Sequence, residues 1–241
     1  MPDPNYLFVS DLHLDAGAQD AHSLFMKFLA NEARAARALY VLGDLFEVWV
    51  GDDDPEPSRE EICRAMLELT RTGVPCYVIR GNRDFLFNTG FEQCTGATLL
   101  PDPVLATLYG TRVFVSHGDV LCTDDHAYQE LRSVVRDPHW QHLFMALPLA
   151  ARRALADRAR AGSRDHTMRS SYKIMDVNES AVAAAFRVSQ TRVMIHGHTH
   201  RPGIYRHSVD GAEAVRIVLG DWYEQGSYLV WGAEGYELRS L

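Results

Sequence analysis

Short apolar runs, each bounded by residues typical of turns, recur along most of the chain. The runs are too short for helices and rich in β-branched and aromatic residues, which is typical of buried strands. They predict strands over residues 6–10, 38–42, 76–80, 112–116 and 192–196. Apolar residues at helical spacing between them predict helices over residues 22–37 and 58–72, the second opened by a Ser58/Glu61 capping box. The alternation of strands and helices indicates an α/β fold.

Two parts of the chain depart from this alternation. After His200, strand-like stretches joined by turns predict an antiparallel meander over residues 203–207, 214–220, 227–231 and 236–241. Residues of about 124–175 have a helical pattern interrupted by Pro138 and Pro148. We interpret them as a helical insertion within a single domain of residues 1–241. Basic side chains outnumber acidic ones in this insertion, which indicates an anionic partner there.

Composition narrows the class of protein. The chain has 241 residues, of which 46% are hydrophobic, enough for one elaborated α/β domain. Its net charge of −8 argues against a surface built to bind nucleic acid, although a local basic patch is compatible with it. The sequence has no C-x-x-C pair, no signal-peptide pattern and no apolar run of membrane-spanning length. We therefore expect a reduced, cytosolic protein, and no obligate protein partner is evident.

Side chains that bind metals stand at the ends of the predicted strands. These strand ends are Asp11-Leu12-His13, Gly43-Asp44, Gly81-Asn82, His117-Gly118 and Gly197-His198-Thr199-His200. Ligands in open α/β sheets collect at the carboxyl ends of strands, so we expect these side chains to converge on one crevice. Alternate residues of an extended segment point the same way, which would let Asp11 and His13 reach one ion. We interpret His196 as a buried residue that ends a strand.

This set of candidate ligands is larger than one ion needs if the ion also keeps a water. It comprises two carboxylates, one amide and four imidazoles, namely Asp11, His13, Asp44, Asn82, His117, His198 and His200. A bridging carboxylate can hold two divalent cations that together bind an attacking water and phosphoryl oxygens. Ligation by oxygen and nitrogen without thiolate suits Mn²⁺, Fe²⁺ or Zn²⁺.

The ordered motifs Asp-x-His, Gly-Asp, Gly-Asn, His-Gly and Gly-His-x-His resemble those of the calcineurin-like metallophosphoesterase superfamily, over residues 8–202. The resemblance implies a four-layer α/β/β/α sandwich, here with a helical cap insertion. It implies that Asp11, His13 and His200 hold one metal ion. It also implies that Asn82, His117 and His198 hold the other ion and that Asp44 bridges the two.

One motif departs from the superfamily pattern. Most members have Gly-Asn-His-Asp where this chain has Gly81-Asn82-Arg83-Asp84, so the usual histidine proton donor is absent. A phosphate leaving group needs less help from an acid than an alkoxide does, so the departure favours cleavage of a pyrophosphate. Arg83 would hold phosphate in a forked geometry. The alternative role for Arg83 is a structural ion pair with Asp84.

This motif, together with residues 42–49, 117–119 and 196–202, resembles the family of UDP-2,3-diacylglucosamine hydrolases nearly end to end. The resemblance implies cleavage of a lipid-linked nucleotide sugar, UDP-2,3-diacylglucosamine, to UMP and lipid X in lipid A biosynthesis. It implies two Mn²⁺ ions as cofactor and peripheral association with the cytoplasmic face of the inner membrane. The implied catalytic residues are Asp44, Asn82, Arg83 and His117.

The same resemblance implies a set of substrate contacts: Asn82, Arg83, Asp125, Tyr128, Ser163, Thr167, Ser170 and His198. Around Thr167 and Ser170 the chain lacks a lysine that the family can carry, and Arg164, Arg169 or Lys173 are alternatives for that charge. Apolar residues of the insertion either line an acyl groove or pack the insertion onto the core, and the two roles are compatible. These residues are Trp140, Leu143, Phe144, Met145, Leu147 and Leu149.

Two other functions are compatible with parts of the pattern. A nucleotide phosphodiesterase or phosphatase of the same superfamily would share the metal motifs, but Arg83 and the insertion count against it. A non-catalytic scaffold with this fold would be expected to have lost ligands, and this chain retains the full set. The acidic run of residues 52–54 is interpreted as a solvated loop.

Overall fold

The computed structural model describes residues 3–15, 17–169, 176–223 and 225–241, and only the backbone of residues 163–169. The strands are β1 (Tyr6–Val9), β2 (Ala38–Leu42), β3 (Cys76–Ile79), β4 (Thr98–Leu100), β5 (Val104–Leu108), β6 (Thr111–Val115), β7 (Val193–His196), β8 (Gly203–Val209), β9 (Ala212–Val218), β10 (Ser227–Gly232) and β11 (Gly235–Ser240). The α-helices are α1 (Gln19–Ala30), α2 (Pro57–Arg71), α3 (Thr89–Thr95), α4 (His126–Val135), α5 (Pro138–Met145), α6 (Leu149–Arg169) and α7 (Glu179–Ser189).

The strands of the described ranges form two mixed sheets. The first sheet has the order β11-β10-β1-β2-β3-β4, with β1 to β4 parallel to one another. The second has the order β5-β6-β7-β9-β8, with β6, β7 and β9 parallel. Because β1, β2, β3, β6 and β7 are internal strands that run parallel to a neighbour, their carboxyl ends are available to build a common site.

Alternation of side chains along the strands sets the layers of the molecule. Along β1, Leu7 and Val9 share a buried cluster with Phe25 and Phe28 of α1, whereas Phe8 lies in a second cluster between the two sheets. A third cluster joins α7 to the outer face of the second sheet. Full burial of a phenylalanine stabilises such a layer by about 1.5–3 kcal/mol. The layers follow the order α/β/β/α, which confirms the predicted fold class.

The C-terminal strands do not form the single meander that we predicted from the sequence. The β8–β9 hairpin belongs to the second sheet, while β10 and β11 pair beside β1 in the first sheet. The chain crosses between the sheets at Trp222, whose backbone N–H donates to Asp11 O. The indole is almost fully buried and lies edge-on to Phe25 and Phe28, with ring centroids 5.7 and 5.9 Å away. Burial of this ring therefore diverts the chain from one sheet to the other.

Two local predictions also need correction. Helix α2 begins at Pro57 with Glu56 as its N-cap, because the Glu56 carboxylate accepts hydrogen bonds from the Ser58 N–H and hydroxyl. The predicted Ser58/Glu61 capping box is therefore wrong. The predicted helix over residues 22–37 is split into α1 and a 3-10 turn at Glu32–Ala35. Helices α3 and α7 and strands β4 and β5 were not predicted.

The segment predicted as a helical insertion contains α4, α5 and α6 within the described residues. Its longest helix is tied to the acidic run of residues 52–54. Arg152 forms a bidentate pair with Asp53, and Arg153 donates from Nε to Asp54 at 3.0 Å. Asp54 also accepts from Arg59 at 2.6 Å, with its own side chain only 3% exposed. The prediction of a solvated run is therefore wrong for Asp54, which is buried, whereas Asp52 and Asp53 are exposed. The arginine pairs of Asp53 and Asp54 anchor α6 to the sheet domain.

Among the described residues, none of the helices combines the length and apolar character that crossing a lipid bilayer requires.

Candidate metal centre

The candidate ligands converge in the structure although they are far apart in the sequence. Each follows the carboxyl end of a strand: Asp11 and His13 after β1, Asp44 after β2, Asn82 after β3, His117 after β6, and His198 and His200 after β7. Asp11, His13 and His200 offer ligand atoms within 4.8 Å of one another, and so do Asp11, Asp44 and His117. The described residues therefore contain Asp and His groups that could bind a divalent metal.

One half of the cluster is formed by Asp11, His13 and His200. The Nε2 atoms of His13 and His200 lie 3.3 Å apart, and Asp11 Oδ1 lies 3.3 Å from the His200 nitrogen and 4.0 Å from the His13 nitrogen. Asp11 Oδ1 is buried without a hydrogen-bond donor in the described part of the chain, while Oδ2 accepts from Ser10 and from the His198 N–H. A buried carboxylate oxygen without a donor is costly, and a cation would satisfy it.

The other half is formed by Asn82, His117 and His198. His117 Nε2 lies 3.0 Å from Asn82 Oδ1 and 3.2 Å from His198 Nδ1. Asp44 lies between the halves, with Oδ2 3.9 Å from His13 Nε2 and Oδ1 3.9 Å from His117 Nε2. Two carboxylate oxygens that face different histidines are the arrangement that a bridging ligand needs.

Three of the histidines, His13, His117 and His200, place one ring nitrogen next to an acceptor outside the cluster. The other ring nitrogen of each faces the cluster. His13 Nδ1 lies 2.9 Å from Glu47 Oε2, and His117 Nδ1 donates to Leu42 O at 2.8 Å. His200 Nδ1 lies 3.3 Å from Asp221 Oδ2. Each partner is an acceptor, so the rings of His13 and His117 donate outward, and His200 Nδ1 faces a carboxylate. The second nitrogen of each ring points at the other ligands. Acceptors behind the ring hold the imidazoles of many metal sites in this way.

The crowding of these ligand atoms shifts the pKa values of the histidines. Burial lowers the pKa of His117, but the surrounding carboxylates, led by Asp44 and Asp11, raise it to about 9. Burial likewise opposes the charge on His200, yet the contact with Asp11 raises its pKa. Burial and the neighbouring His117 lower the pKa of His198 to about 4. A divalent cation binds deprotonated imidazole, so its binding to these histidines would depend on pH.

The pKa values of the buried carboxylates Asp11 and Asp84 shift in opposite directions from each other. Burial raises the pKa of Asp11, but its contact with His200 and the other histidines outweigh burial and hold that pKa well below its usual range. Burial, together with the neighbouring Asp44, raises the pKa of Asp84 to about 7. Asp11 is thus ionised and suited to a cation. Asp84 instead accepts hydrogen bonds from the backbone N–H groups of Leu45 and Gly81.

The backbone at the ligands is strained. Asp11, His13, Asp44, His198 and His200 all have positive φ angles, between 50° and 68°. Left-handed backbone costs a non-glycine residue roughly 1–2 kcal/mol, and such conformations cluster at functional sites. Asp11 and His13 are therefore not in the extended segment that we expected. They converge because their N–H groups donate to Gly43 O and Asp44 O on the neighbouring loop.

Two glycines permit the ligand loops to pack against each other. A Cβ atom at Gly81 would lie 2.1 Å from Asp44 Oδ1, and one at Gly197 would lie 2.3 Å from Asp11 Oδ2. Both distances are far below van der Waals contact, so a side chain at either position would displace a carboxylate ligand. Glycine at these two positions therefore leaves room for the carboxylates of Asp44 and Asp11.

Several residues that support the ligands were not identified from the sequence. Glu47 and Asp221 orient His13 and His200, and Asp84 accepts hydrogen bonds from the N–H groups of Gly81 and Leu45, both at 2.7 Å. Their acidic side chains follow no ligand spacing, so the only available signal was the closeness of Glu47 to Asp44 in the sequence. The buried His196 ends β7, and Arg216 NH1 donates to its Nε2 at 3.2 Å.

Arg83 is placed at the edge of the cluster with its guanidinium uncommitted. No hydrogen bond or ion pair of this side chain to another described residue is present, while its N–H donates to Asp44 Oδ1 at 2.8 Å. Asp84 is engaged with backbone N–H groups, so the alternative of an Arg83–Asp84 ion pair is not what the structure has. The arginine is available to an anionic ligand.

The predicted substrate contacts are only partly described. Asp125 is buried and caps α4 by accepting from the Tyr128 N–H at 3.0 Å. The Tyr128 ring lies against His198 with centroids 5.8 Å apart, and its hydroxyl donates to Asp119 at 2.6 Å. The side chains of Ser163 and Thr167, and the whole of Ser170, lie outside the described residues, as do the side chains of Arg164 and Arg169 and the whole of Lys173.

A cavity of about 620 Å³ opens beside the cluster, between the insertion and the sheet domain. Its polar end is lined by Glu47, Asn82 and Arg83. The remainder is lined mainly by apolar side chains, including Trp49, Phe85, Leu131, Trp140, Leu143, Phe144, Leu147 and Leu155. Phe144 and Trp140 also pack against the core of the sheet domain. The apolar residues of the insertion thus both line a groove and pack on the core.

Comparisons with known proteins identify the family of the chain. The family model of calcineurin-like phosphoesterases matches residues 4–202. A protein of Aeromonas hydrophila named UDP-2,3-diacylglucosamine hydrolase is 50% identical over 224 residues, which are 93% of each chain. A protein of the same name from Escherichia coli O81 is 47% identical over 232 residues, covering 96% of this chain and 97% of that one. A solved archaeal phosphodiesterase has a TM-score of 0.47 and 12% identity, covering 98% of this chain and 99% of that one.

Proposed function

This chain belongs to the calcineurin-like phosphoesterase family, as its motifs predicted, and we propose that it hydrolyses UDP-2,3-diacylglucosamine to UMP and 2,3-diacylglucosamine 1-phosphate, lipid X, in lipid A biosynthesis. The chain is a hydrolase with a metallophosphoesterase domain. The choice of substrate rests on relatives that are 47–50% identical over nearly the whole chain and carry that name.

The observation that carries this proposal is the position of the apolar cavity. It runs from Asn82 and Arg83, beside the ligand cluster, to a wall of leucine and aromatic side chains from α4, α5 and α6. A substrate with a pyrophosphate and two acyl chains needs those two environments side by side. A nucleotide without acyl chains would leave the apolar wall empty, so the cavity favours the lipid-linked substrate over the nucleotide phosphodiesterase alternative.

The ligand cluster fits a pair of divalent cations. Asp11, His13 and His200 would hold one, and Asn82, His117 and His198 would hold the other, with Asp44 between them. The donor set of oxygen and nitrogen without thiolate suits Mn²⁺, which we propose as the metal. When bound, such a pair lowers the pKa of coordinated water toward neutrality and neutralises charge on phosphoryl oxygens. The donorless Oδ1 of Asp11 supports this fit.

Hydrolysis of the pyrophosphate then needs an attacking water and a group that neutralises charge on the phosphates. Water forms a bond to the α-phosphorus and gives up one proton to solvent, the bond from that phosphorus to the bridging oxygen breaks, and the lipid 1-phosphate leaves as an anion. Arg83, whose guanidinium has no described partner, would neutralise charge on the phosphates through a forked contact. Because phosphate is a weakly basic leaving group, the reaction does not need the histidine acid that Arg83 replaces.

We further propose that the chain forms one domain with a cap over about residues 124–175, and that it binds the cytoplasmic face of the inner membrane peripherally. Exposed apolar side chains that line the cavity support the second point: Leu131, Leu143 and Leu155 are 53%, 55% and 43% exposed. Acyl chains that enter the cavity from a bilayer would pass these side chains.

The test is a substrate panel assayed with metal-stripped enzyme, with and without added Mn²⁺. The panel contains UDP-2,3-diacylglucosamine, UDP-N-acetylglucosamine, a cyclic nucleotide and a dinucleoside polyphosphate, and product release is followed by chromatography. We expect Mn²⁺-dependent UMP release from the diacylated substrate, with ¹⁸O from labelled water in the UMP phosphate. Label in lipid X would overturn attack on the α-phosphorus, and faster turnover of simple nucleotides would select the phosphodiesterase function.

A further inference from the structure

Arg132 of α4 and Arg136, the residue that caps the end of this helix, reach from the insertion to the loops that carry Asn82 and His117. Arg136 NH2 donates to Arg80 O at 3.1 Å and to Gly81 O at 2.9 Å, the two residues that precede Asn82. Both carbonyls lie beyond the end of β3, where strand pairing no longer supplies donors. Arg136 therefore holds the backbone from which the Asn82 side chain projects.

The second arginine acts on the loop of His117 through buried carboxylates. Arg132 Nε donates to Asp119 Oδ2 at 2.8 Å, and its NH2 lies 3.6 Å from Asp102 Oδ2. Asp102 Oδ1 in turn accepts from the Ser116 hydroxyl at 2.7 Å and from the His117 N–H at 3.2 Å. The side chains of Asp119 and Asp102 are 0% and 5% exposed. Asp102 thus holds the His117 backbone, and Arg132 is the cation that faces both Asp102 and Asp119, which would lose that partner if α4 moved away.

The two halves of the ligand cluster thus depend on different supports. Asn82 and His117 are held by Arg136 and Arg132, both from the insertion. His13 and His200 are oriented by Glu47 and Asp221, which lie in loops of the sheet domain. Apart from a longer contact of 3.9 Å between Arg160 and Glu47, the described insertion side chains have no ion pair with these supports.

We infer that Arg132 and Arg136 are positioning residues. Arg136 fixes Asn82 through the carbonyls of Arg80 and Gly81, and Arg132 fixes His117 through the carboxylate of Asp102, so that the Asn82–His117–His198 half binds its ion tightly only when α4 is docked. The inference rests on the proposed two-metal function. It makes the insertion part of the metal centre and not only a cover for the substrate.

A contact with substrate is the rival role, because both arginines also line the cavity. Metal binding without substrate separates the two roles. Removal of a positioning residue weakens one ion in the substrate-free enzyme and raises the Mn²⁺ concentration needed for half-maximal activity. Removal of a substrate contact raises KM at saturating Mn²⁺ and leaves metal binding unchanged.

The experiment is titration of Mn²⁺ into metal-stripped full-length protein, read by calorimetry and by the electron paramagnetic resonance signal of a coupled Mn²⁺ pair. The variants are Arg136→Met, Arg132→Met and the conservative Arg136→Lys, with Arg158→Met on the exposed face of α6 as the matched control. We expect two ions in the wild type and the control. We expect one ion at unchanged affinity and a second weakened about 10–100-fold in both methionine variants.

Arg136→Lys retains the charge and one donor, so it should restore part of the second affinity. If circular dichroism finds that Arg136→Met is unfolded, Arg132→Met decides the matter. Two ions at wild-type affinity in the folded methionine variants would overturn the inference and leave the proposed function standing. If the wild-type protein never binds two ions under any condition tested and releases no UMP, the proposed function itself is refuted.

Discussion

Glu47 fixes the ring of His13 by accepting a hydrogen bond from its Nδ1 at 2.9 Å. Because that nitrogen is committed, Nε2 faces Asp11 and His200, where a cation would bind. Glu47 lines the cavity as well, with its other oxygen 3.9 Å from Arg160 of α6. One carboxylate therefore contacts both the metal cluster and the insertion.

Replacement of Glu47 by alanine should weaken the ion held by Asp11, His13 and His200. The outer partners of metal-bound histidines are worth about 10–100-fold in metal affinity, and the His13 ring would lose its orientation. The measurement is calorimetric titration of Mn²⁺ into metal-stripped Glu47→Ala. The exposed Glu68→Ala on α2 is the control. Unchanged affinity of both ions in Glu47→Ala would contradict the role of Glu47.

Asp44→Asn tests the bridging ligand. An amide keeps the size of the side chain but removes the charge that would be shared by two cations, so turnover should fall by more than about 100-fold. The fold should persist, because the amide has nearly the size and shape of the carboxylate, and circular dichroism checks this. UMP release, metal content and circular dichroism are measured beside the exposed control Asp157→Asn. Retention of substantial activity in folded Asp44→Asn would refute the bridging role.

The ligands could be predicted from the sequence because they occur as short motifs after recognisable strands. Asp11 and His13 were identified in this way, yet their left-handed backbone was not, since it depends on carbonyls of the loop after β2. Glu47 and Asp221 were missed because a lone carboxylate has no spacing that marks it. The pair Arg132 and Arg136 has the four-residue spacing of one helix face, but only the tertiary structure reveals that this face meets two ligand loops.

Arg83 should contribute to catalysis as a forked donor to phosphate. Its guanidinium has no partner among the described residues, so removal should not disturb the fold. We expect Arg83→Ala to lower kcat/KM for UDP-2,3-diacylglucosamine by about 100-fold. Arg83→Lys should recover little of it, because an ammonium cannot form the paired contact. Full activity of Arg83→Lys would argue for a simple charge effect in place of a clamp.

Filling the cavity should weaken binding of the diacylated substrate more than it affects a substrate without acyl chains. Ala156 lines the cavity on α6, and a phenylalanine there would occupy space that the substrate needs. Ala156→Phe should raise KM for the diacylated substrate about tenfold or more. Hydrolysis of bis(p-nitrophenyl) phosphate, which has no acyl chain, should be little changed. Ala154→Phe, on the exposed side of the same helix, is the matched control. Equal loss on both substrates would indicate a damaged fold and not a blocked groove.

Asp54 should stabilise the docked insertion in a manner that acid removes. Burial raises the pKa of Asp54, but hydrogen bonds from Arg153 and Arg59 outweigh it and lower that pKa. A carboxylate with a lowered pKa stabilises the fold above the unfolded value of about 3.9 and loses this effect as the pH falls through the folded value. Asp54→Asn should therefore reduce the free energy of unfolding by about 1–3 kcal/mol at neutral pH, with the difference constant down to about pH 5 and shrinking below about pH 4. Urea unfolding across this range measures it, with Asp157→Asn as the control. A difference that persists undiminished in strong acid would mean that the arginine pairs are not its source.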